Sequence, residues 1–151
     1  MTLTRVDHLV IAARFAAAPH EWPVAARFNP VRRWYHRLAA EPDYEVWLLT
    51  WLPGQGTDLH DHGGSAGALH VVSGELTEDT VDAGGRVTVR SLSEGLGRRF
   101  GAHHVHRIAN RTSRPTVSVH AYGPALTSMT RYRLTPAGLE QVEVARAGAQ
   151  W

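Results

Sequence analysis

Two histidines stand one residue apart in a segment that begins and ends with glycine. His60 and His62 lie within GQGTDLHDHGGSAGALHVVSG, residues 54–74. Side chains two apart on a β-strand share a face, so both imidazoles can point at one place. Neutral imidazole is a common nitrogen ligand for iron, zinc, copper and nickel. The pair therefore predicts half of a metal site, whose third ligand must come from elsewhere in the chain.

The run HHVHRIAN, residues 103–110, offers the candidates for that third ligand. His104 and His106 share a face of the predicted strand, so either could bind the metal while the other supports it. His70 has the same parity as His62, but the glycines at 63 and 64 bend the strand between them, and we interpret His70 as a packing residue.

The wider spacing resembles the first motif of the cupin family, whose fold is a double-stranded β-barrel. Gly54, His60, His62, Gly67 and Gly74 follow one another at the intervals of that motif, although Gly67 stands where a glutamate ligand is usual. A second cupin motif is matched less closely by the following residues: Gly95, His106 and Asn110. The resemblance thus implies a metal site of three histidines, His60, His62 and His106, with no carboxylate.

Within the cupins, the chain is similar to the cysteine dioxygenase family. The similarity lies in Trp51 before the HDH core, in HHVHRIAN, in the alternating Ser118, His120 and Tyr122, and in the Tyr-x-Arg element at Tyr35 and Arg37. These features occur in the family's order from about residue 35 to residue 124. The resemblance implies a mononuclear non-haem Fe(2+) enzyme that oxidises L-cysteine with O2 to cysteine sulfinic acid.

The same resemblance implies roles for individual residues. Arg37 would bind the substrate carboxylate through its planar guanidinium, with Tyr35 and Trp51 also in the substrate site. Tyr122 would hydrogen-bond the substrate carboxylate or the bound oxygen, and His120 and Ser118 would hold Tyr122 in place.

Other interpretations of these residues remain open on the sequence alone. Arg37 could be a surface cation and Tyr35 a packing residue, and Ser118, His120 and Tyr122 could form an outward polar face. The alternative substrates are 3-mercaptopropionate or another small thiol acid. A cupin that binds zinc or nickel without catalysis, and a purely structural barrel, are alternatives of other classes.

Composition narrows the function further. The 151 residues carry a formal charge of +2, with basic residues that are all arginine and without the aromatic interleaving of an RNA-binding surface. We therefore expect no nucleic-acid partner, and the resemblance implies small-molecule partners, a thiol and O2. The absence of cysteine excludes disulfides, thiolate ligands and a cysteine nucleophile. In animal members of the family a cysteine is cross-linked to the active-site tyrosine. Here Gly67 takes the place of that cysteine, so Tyr122 has no cross-link.

No stretch of the sequence is apolar enough to predict a membrane span. We expect a cytoplasmic protein that is a monomer or a weak homo-oligomer.

These site residues must be positioned by an all-β fold, since short Val-, Leu-, Thr- and Trp-rich runs punctuated by glycine and proline dominate from residue 44 onward. We predict one cupin domain, a jelly-roll β-barrel, over residues 1–151, with a helical N-terminal segment at 1–40, the barrel at 44–134 and a tail at 135–151. Helical spacing predicts one helix at 6–18 and a second, short one at 30–38. The predicted strands are 44–51, 58–62, 66–73, 75–81, 86–92, 97–101, 104–110, 115–122 and 129–134, with a further strand-like piece at 140–144.

Overall fold

The computed structural model describes residues 5–146, which contain one α-helix, one turn of 3-10 helix and eleven β-strands. The helix α1 covers His8–Ala16, and the 3-10 turn covers Pro19–Glu21. The strands are β1 Tyr35–Ala40, β2 Glu45–Trp51, β3 Leu59–His60, β4 Ala66–Ser73, β5 Glu75–Val81, β6 Val87–Ser93, β7 Gly97–Phe100, β8 His106–Ala109, β9 Thr116–Gly123, β10 Ser128–Thr135 and β11 Gly138–Arg146. The prediction of an all-β fold is confirmed.

The strands form two antiparallel sheets. One sheet has five strands in the order β1-β2-β9-β4-β7, and the other has six in the order β11-β10-β3-β8-β5-β6. The chain passes between the sheets from β2 to β3, from β3 to β4 and again from β4 to β5. Residues that are close in sequence are thereby divided between two layers, and their inward side chains meet in the interior.

Helix α1 covers the outer face of the five-stranded sheet. The Asp7 carboxylate caps the helix by accepting hydrogen bonds from the backbone N–H groups of Leu9 and Val10. The residues buried between helix and sheet are apolar: Ile11, Ala12, Ala16, Val46, Leu48, Val117, Val119 and Ala121. The helix predicted at 6–18 is therefore confirmed. Because the helix takes up the odd-numbered side chains of β9, the even-numbered ones face the interior.

The prediction of a second helix at 30–38 is wrong. Residues 35–40 form strand β1, which pairs with β2 so that Tyr35 lies opposite Leu49 and Arg37 opposite Trp47. The apolar spacing that indicated a helix includes Val31. This side chain is 89% exposed, so it does not belong to a buried face of a helix. Pairing at the edge of a sheet outweighed the weak helical pattern, since Trp and Tyr also favour strands.

The C-terminal residues that the structure describes extend the six-stranded sheet. Strand β11 pairs with β10 along its length, from Thr135 opposite Gly138 to Ser128 opposite Arg146, and so contains the strand-like piece predicted at 140–144. Strand β10 in turn pairs with β3, which carries His60. In residues 5–146 no helix is long and apolar enough to cross a membrane.

Candidate active site

Three buried histidines meet on the six-stranded sheet. His60 of β3 and His106 of β8 lie directly opposite each other across neighbouring strands, and His62 follows two residues after His60. Gly63 and Gly64 come next with φ of 59° and 93°, a left-handed backbone that turns the chain away immediately after His62. One ring nitrogen from each histidine lies within 4.8 Å of the others. The structure therefore brings together the three predicted metal ligands.

The three imidazoles are in the protonation state that a metal requires. Burial lowers the pKa of His60 and of His62 well below the ordinary value, and the charge of neighbouring histidines lowers both further. The Nδ1–H of His60 donates to the carbonyl oxygen of Asp58 at 2.8 Å, which leaves its Nε2 lone pair available. The Nε2 atoms of His62 and His106 are 3.3 Å apart. Three neutral nitrogens converging in a buried space fit a metal ion.

Glu78 of β5 fixes the orientation of His106. Its carboxylate, which is fully buried, accepts from His106 Nδ1 at 2.7 Å and from His104 Nε2 at 3.2 Å, and it pairs with Arg98. Burial alone would raise the Glu78 pKa, but these hydrogen bonds and charges together lower it well below the ordinary range. With its Nδ1 proton held by Glu78, His106 presents Nε2 to the other histidines, as metal-bound imidazoles supported by a carboxylate do. The sequence pattern did not identify Glu78 as a residue of the site. The available signal was that Glu78 stands two residues after the buried Leu76 and therefore shares its strand face.

His104 is placed by the same contact. It binds the outer side of the Glu78 carboxylate, and together Glu78, His104 and His106 form a second group whose ligand atoms lie within 4.8 Å of one another. Of the two candidates on this strand, His106 is thus the one that also meets His60 and His62.

Phe100 fills the space beside Gly67, the position at which the cupin motif usually has a glutamate. A Cβ atom on Gly67 would stand 2.8 Å from the Phe100 ring and 2.4 Å from the carbonyl oxygen of Ala121, so this place has no room for a side chain. The Phe100 ring stacks on His62 with 4.6 Å between centroids and an interplanar angle of 23°. Gly67 and Phe100 together leave no room for a carboxylate side chain at position 67.

A row of hydrogen bonds crosses the facing, five-stranded sheet. The indole N–H of Trp51 donates to Ser118 Oγ at 2.8 Å, Ser118 Oγ lies 2.8 Å from His120 Nε2, and His120 Nδ1 lies 3.3 Å from the Tyr122 hydroxyl. Ser118, His120 and Tyr122 are 0%, 3% and 5% exposed, which rules out the outward polar face. The Tyr122 ring is 5.3 Å from the His62 ring between centroids, so the row ends beside the histidine cluster.

Both titratable members of the row are neutral near pH 7. Burial lowers the pKa of His120 to about 3, and the charges of His106 and Arg33 contribute in the same direction. Burial raises the pKa of Tyr122 above its ordinary value, against the opposing effect of Arg33. His120 therefore has one donor and one acceptor nitrogen, and Tyr122 keeps its hydroxyl proton.

The three residues predicted to line the substrate site lie in different surroundings. Tyr35 packs edge-on against Trp47 with 5.8 Å between ring centroids, and it lines a small void with Trp47, Leu49 and Tyr122. Arg37 is exposed, and its guanidinium lies over the Trp47 ring at 5.9 Å. Trp51 is fully buried within the row.

A cavity of about 150 Å³ reaches the histidine cluster beside His60. Arg33 lines it from the segment before β1, while Met129 and Arg131 of β10 and Ala145 of β11 form the opposite wall. The sequence pattern did not identify Arg33 as a residue of the site. The structure thus places the C-terminal hairpin next to the site.

Two facing antiparallel sheets with three inward histidines define a candidate metal site inside a β-barrel of the cupin type. Solved structures with the same fold include a protein with a double-stranded beta-helix domain from Klebsiella pneumoniae, with a TM-score of 0.58 and 20% identity over 78% of this chain and 90% of that one. An RmlC-like cupin protein from Desulfovibrio desulfuricans has a TM-score of 0.56 and 18% identity over 71% of this chain and 96% of that one. At this identity the likeness concerns the fold, and it confirms the predicted cupin jelly roll.

The family model for cysteine dioxygenase type I matches residues 3–134, and the chain belongs to that family. Cysteine dioxygenase type 1 of Homo sapiens is 27% identical over 128 residues, which are 76% of this chain and 62% of that protein. Its Danio rerio counterpart is 25% identical over the same shares of the two chains. The chain thus spans about 62% of the length of these curated relatives. The predicted family is confirmed.

Proposed function

We propose that this protein is a mononuclear non-haem iron dioxygenase that oxidises L-cysteine with O2 to cysteine sulfinic acid. The observation that carries the proposal is the pairing of a buried three-histidine cluster, which lacks a carboxylate, with a hydrogen-bonded Ser-His-Tyr row on the facing sheet. Family membership supports it. In this reaction the carbon skeleton of the thiol is unchanged, and both oxygen atoms of O2 become bonded to the sulfur.

His60, His62 and His106 would hold the iron. Nitrogen ligands of this type suit iron as well as zinc, copper and nickel, so the choice of iron rests on the family. When bound, the iron supplies the redox chemistry by which O2 reacts with the substrate sulfur. Because all three ligands are neutral, they leave the positive charge of the ion uncompensated, and the site therefore favours anionic ligands such as a thiolate.

The Ser-His-Tyr row would orient a proton toward the substrate. The Trp51 N–H is a donor only, so Ser118 Oγ accepts from it. Among the contacts described for Ser118, His120 Nε2 is the acceptor for the serine O–H, which leaves the His120 proton on Nδ1 facing the Tyr122 oxygen. This direction satisfies the donors of the row. The Tyr122 oxygen then accepts from His120 Nδ1, and the protonated hydroxyl is itself a donor. We assign Tyr122 the role of hydrogen-bonding the substrate.

The carboxylate of the substrate would be bound by a guanidinium from the segment that contains Arg33 and Arg37, with Tyr35 packed beside it. The second candidate substrate is 3-mercaptopropionate, which has the same thiol and carboxylate but no amine. The exposure of Arg37 favours this second substrate. Arg37 is the residue through which the chain resembles enzymes that act on cysteine, and its guanidinium lies over the Trp47 ring.

The test is oxygen consumption by protein loaded with iron under anaerobic conditions, with L-cysteine and 3-mercaptopropionate offered separately. We expect uptake with cysteine and a product heavier by two oxygen atoms, identified by mass. Faster turnover of 3-mercaptopropionate would retain the dioxygenase and replace the substrate. No uptake with either thiol at full iron occupancy would refute the proposal and leave a cupin that binds metal without catalysis.

Tyr122→Phe separates the assigned role from simple metal binding. The variant removes one hydroxyl from a ring that is already packed, so we expect iron content to be unchanged while turnover falls. Unchanged turnover in this variant would contradict the role given to Tyr122.

A further inference from the structure

His62 lacks a hydrogen-bond partner at Nδ1. His60 and His106 each use Nδ1 to hydrogen-bond an oxygen, from a backbone carbonyl and from Glu78 respectively. The Nδ1 atom of His62 is buried and has no partner among residues 5–146. A metal-bound histidine is usually oriented by a hydrogen bond at that second nitrogen. The position of His62 must therefore be set by the rings packed on it and by the backbone that carries it.

Asp61, which directly precedes His62, joins this backbone to strand β10. Its Oδ1 atom accepts hydrogen bonds from the backbone N–H groups of Gly63 at 3.0 Å and of Thr130 at 3.1 Å. Its Oδ2 atom accepts from the Tyr132 hydroxyl at 2.7 Å, and its own backbone N–H donates to the Thr130 carbonyl oxygen at 2.9 Å. The residues on both sides of His62 are thus held by one carboxylate.

The turn after His62 lies directly against the same strand. Gly63 has a φ of 59°, and a Cβ atom there would collide with the carbonyl oxygen and Oγ of Ser128. The segment 61–63 therefore contacts β10 at alternate residues, 128, 130 and 132. A segment held this closely to a strand has few positions to adopt, so the direction in which the His62 side chain leaves the backbone is restricted.

We infer that Asp61, itself held by Tyr132, is a positioning residue that keeps His62 where it can bind the metal with the other two histidines. The inference rests on the metal site of the proposed function and not on the identity of the thiol. A metal ion requires its ligand atoms at nearly fixed distances and directions, so a site whose third imidazole is already in place loses less freedom when the ion enters. For His62 that restraint comes from the Asp61 carboxylate through the backbone, since Nδ1 of the ring has no polar partner in residues 5–146.

Four variants separate the contacts of the Asp61 carboxylate from general stability. Asp61→Ala removes every hydrogen bond of the side chain. Asp61→Asn keeps an oxygen for the two backbone N–H groups, and its NH2 group can donate to the Tyr132 hydroxyl, which accepts as well as donates. Tyr132→Phe removes only that hydroxyl. The control is Asp82→Ala, because Asp82 accepts from the backbone N–H groups of Gly84 and Arg86 at 2.9 Å in the turn between β5 and β6, which carries none of the three histidines.

The experiment measures binding of Co²⁺, whose visible absorption spectrum depends on the geometry of its ligands. Affinity is obtained by competition with a chelator, and the Tm of each metal-free variant shows that it is folded. We expect Asp61→Ala to weaken Co²⁺ binding by about tenfold or more and to change the spectrum, since a group that supports a metal ligand contributes about 10- to 100-fold to affinity. Asp61→Asn should restore most of the affinity and the spectrum of the natural protein.

Tyr132→Phe should weaken Co²⁺ binding by a smaller factor, about two- to tenfold. Combined with Asp61→Ala it should cause no further loss, because Tyr132 acts through the Asp61 carboxylate. Asp82→Ala should lower Tm while leaving the affinity and the spectrum unchanged.

Equal affinity and an unchanged spectrum in Asp61→Ala would overturn the inference while the proposed function stands. An equal loss of affinity in Asp82→Ala, or an effect of Tyr132→Phe that is the same with and without the Asp61 carboxylate, would overturn it as well. If Asp61→Ala does not fold, unchanged binding in Tyr132→Phe has the same consequence. If the natural protein binds no Co²⁺, the proposed function fails and the inference fails with it.

Discussion

Replacing Glu78 with glutamine should weaken metal binding without removing any of the three histidines that would bind the metal. The Glu78 carboxylate accepts from His106 Nδ1 at 2.7 Å and is also bound by His104 and Arg98. A glutamine offers one acceptor oxygen in place of two. If its NH2 group faces His106, the histidine must accept at Nδ1 and carry its proton on Nε2, the nitrogen that faces His62. If its oxygen faces His106, the NH2 group meets the Arg98 guanidinium, another donor.

The expected size of the effect follows from these contacts. Loss of a carboxylate that supports a metal-bound histidine typically costs 10- to 100-fold in metal affinity, or about 1.4 to 2.7 kcal/mol. The same substitution removes hydrogen bonds to charged groups in a fully buried place, which we expect to destabilise the metal-free fold by about 2 kcal/mol. For a chain of this length, that lowers Tm by about 4 to 8 °C.

The assay is competition for the metal against a chelator of known affinity, with Tm measured on the metal-free protein. Asp79→Asn is the matched control, because Asp79 is the next residue of β5, is also buried, and pairs with Arg107 and Arg111 rather than with a histidine. It should lower Tm but leave metal affinity unchanged. The reasoning is refuted if Glu78→Gln binds metal as tightly as the natural protein, or if Asp79→Asn weakens metal binding to the same extent.

Three further predictions concern the packing and the charges around the site. Gly67→Ala should destabilise the protein by about 1 to 3 kcal/mol in urea unfolding, because its Cβ would lie 2.4 Å from a backbone oxygen, whereas Gly101→Ala, with nothing within 4 Å, should be tolerated. Ser118→Ala should cost about 1 to 3 kcal/mol by leaving the buried Trp51 N–H without its acceptor, and should lower turnover at unchanged iron content. Hydrogen bonds from arginine lower the Asp79 pKa below its ordinary 3.8, so its contribution to stability is present at pH 7 and is lost as the pH falls below about 4. The difference in unfolding free energy between Asp79→Asn and the natural protein should therefore stay constant from pH 7 to about pH 4 and shrink below about pH 4; a difference that stays constant below about pH 4 would contradict this.

Local spacing predicted that His60 and His62 share a face and that Ser118, His120 and Tyr122 share another, while the family resemblance supplied His106 and the inward direction of the polar row. His60 and His62 needed only the alternation of a strand, and Ser118, His120 and Tyr122 needed only that the even face of β9 be the inner one. The structure supplied the reason for that choice, since α1 covers the odd face.

Glu78 and Arg33 could not be found in the same way. The partners of Glu78 lie 20 to 28 residues away in sequence, and the run ELTEDT reads as an exposed strand until the pairing with β8 is known. Arg33 and Arg37 share a face whether the segment is helical or extended, so periodicity does not separate them. Their difference comes from register, since the hydrogen bond from Thr50 N to Trp34 O sets Arg33 near the end of β2 that carries Trp51.

The two sheets contribute different groups to the site, and neither contributes a group suited to accept a proton from a bound thiol. The three histidines on the six-stranded sheet would be occupied by the proposed metal, and Glu78 is already hydrogen-bonded to His106 Nδ1. On the facing sheet, His120 has a pKa of about 3 and is neutral at pH 7, so it is a poor base, while Tyr122 holds its proton more firmly than a free tyrosine does. The row is therefore built to donate a hydrogen bond rather than to accept a proton. A thiol that binds as the thiolate must release its proton to solvent through the cavity beside Arg33, where the positive charge favours the anion that remains.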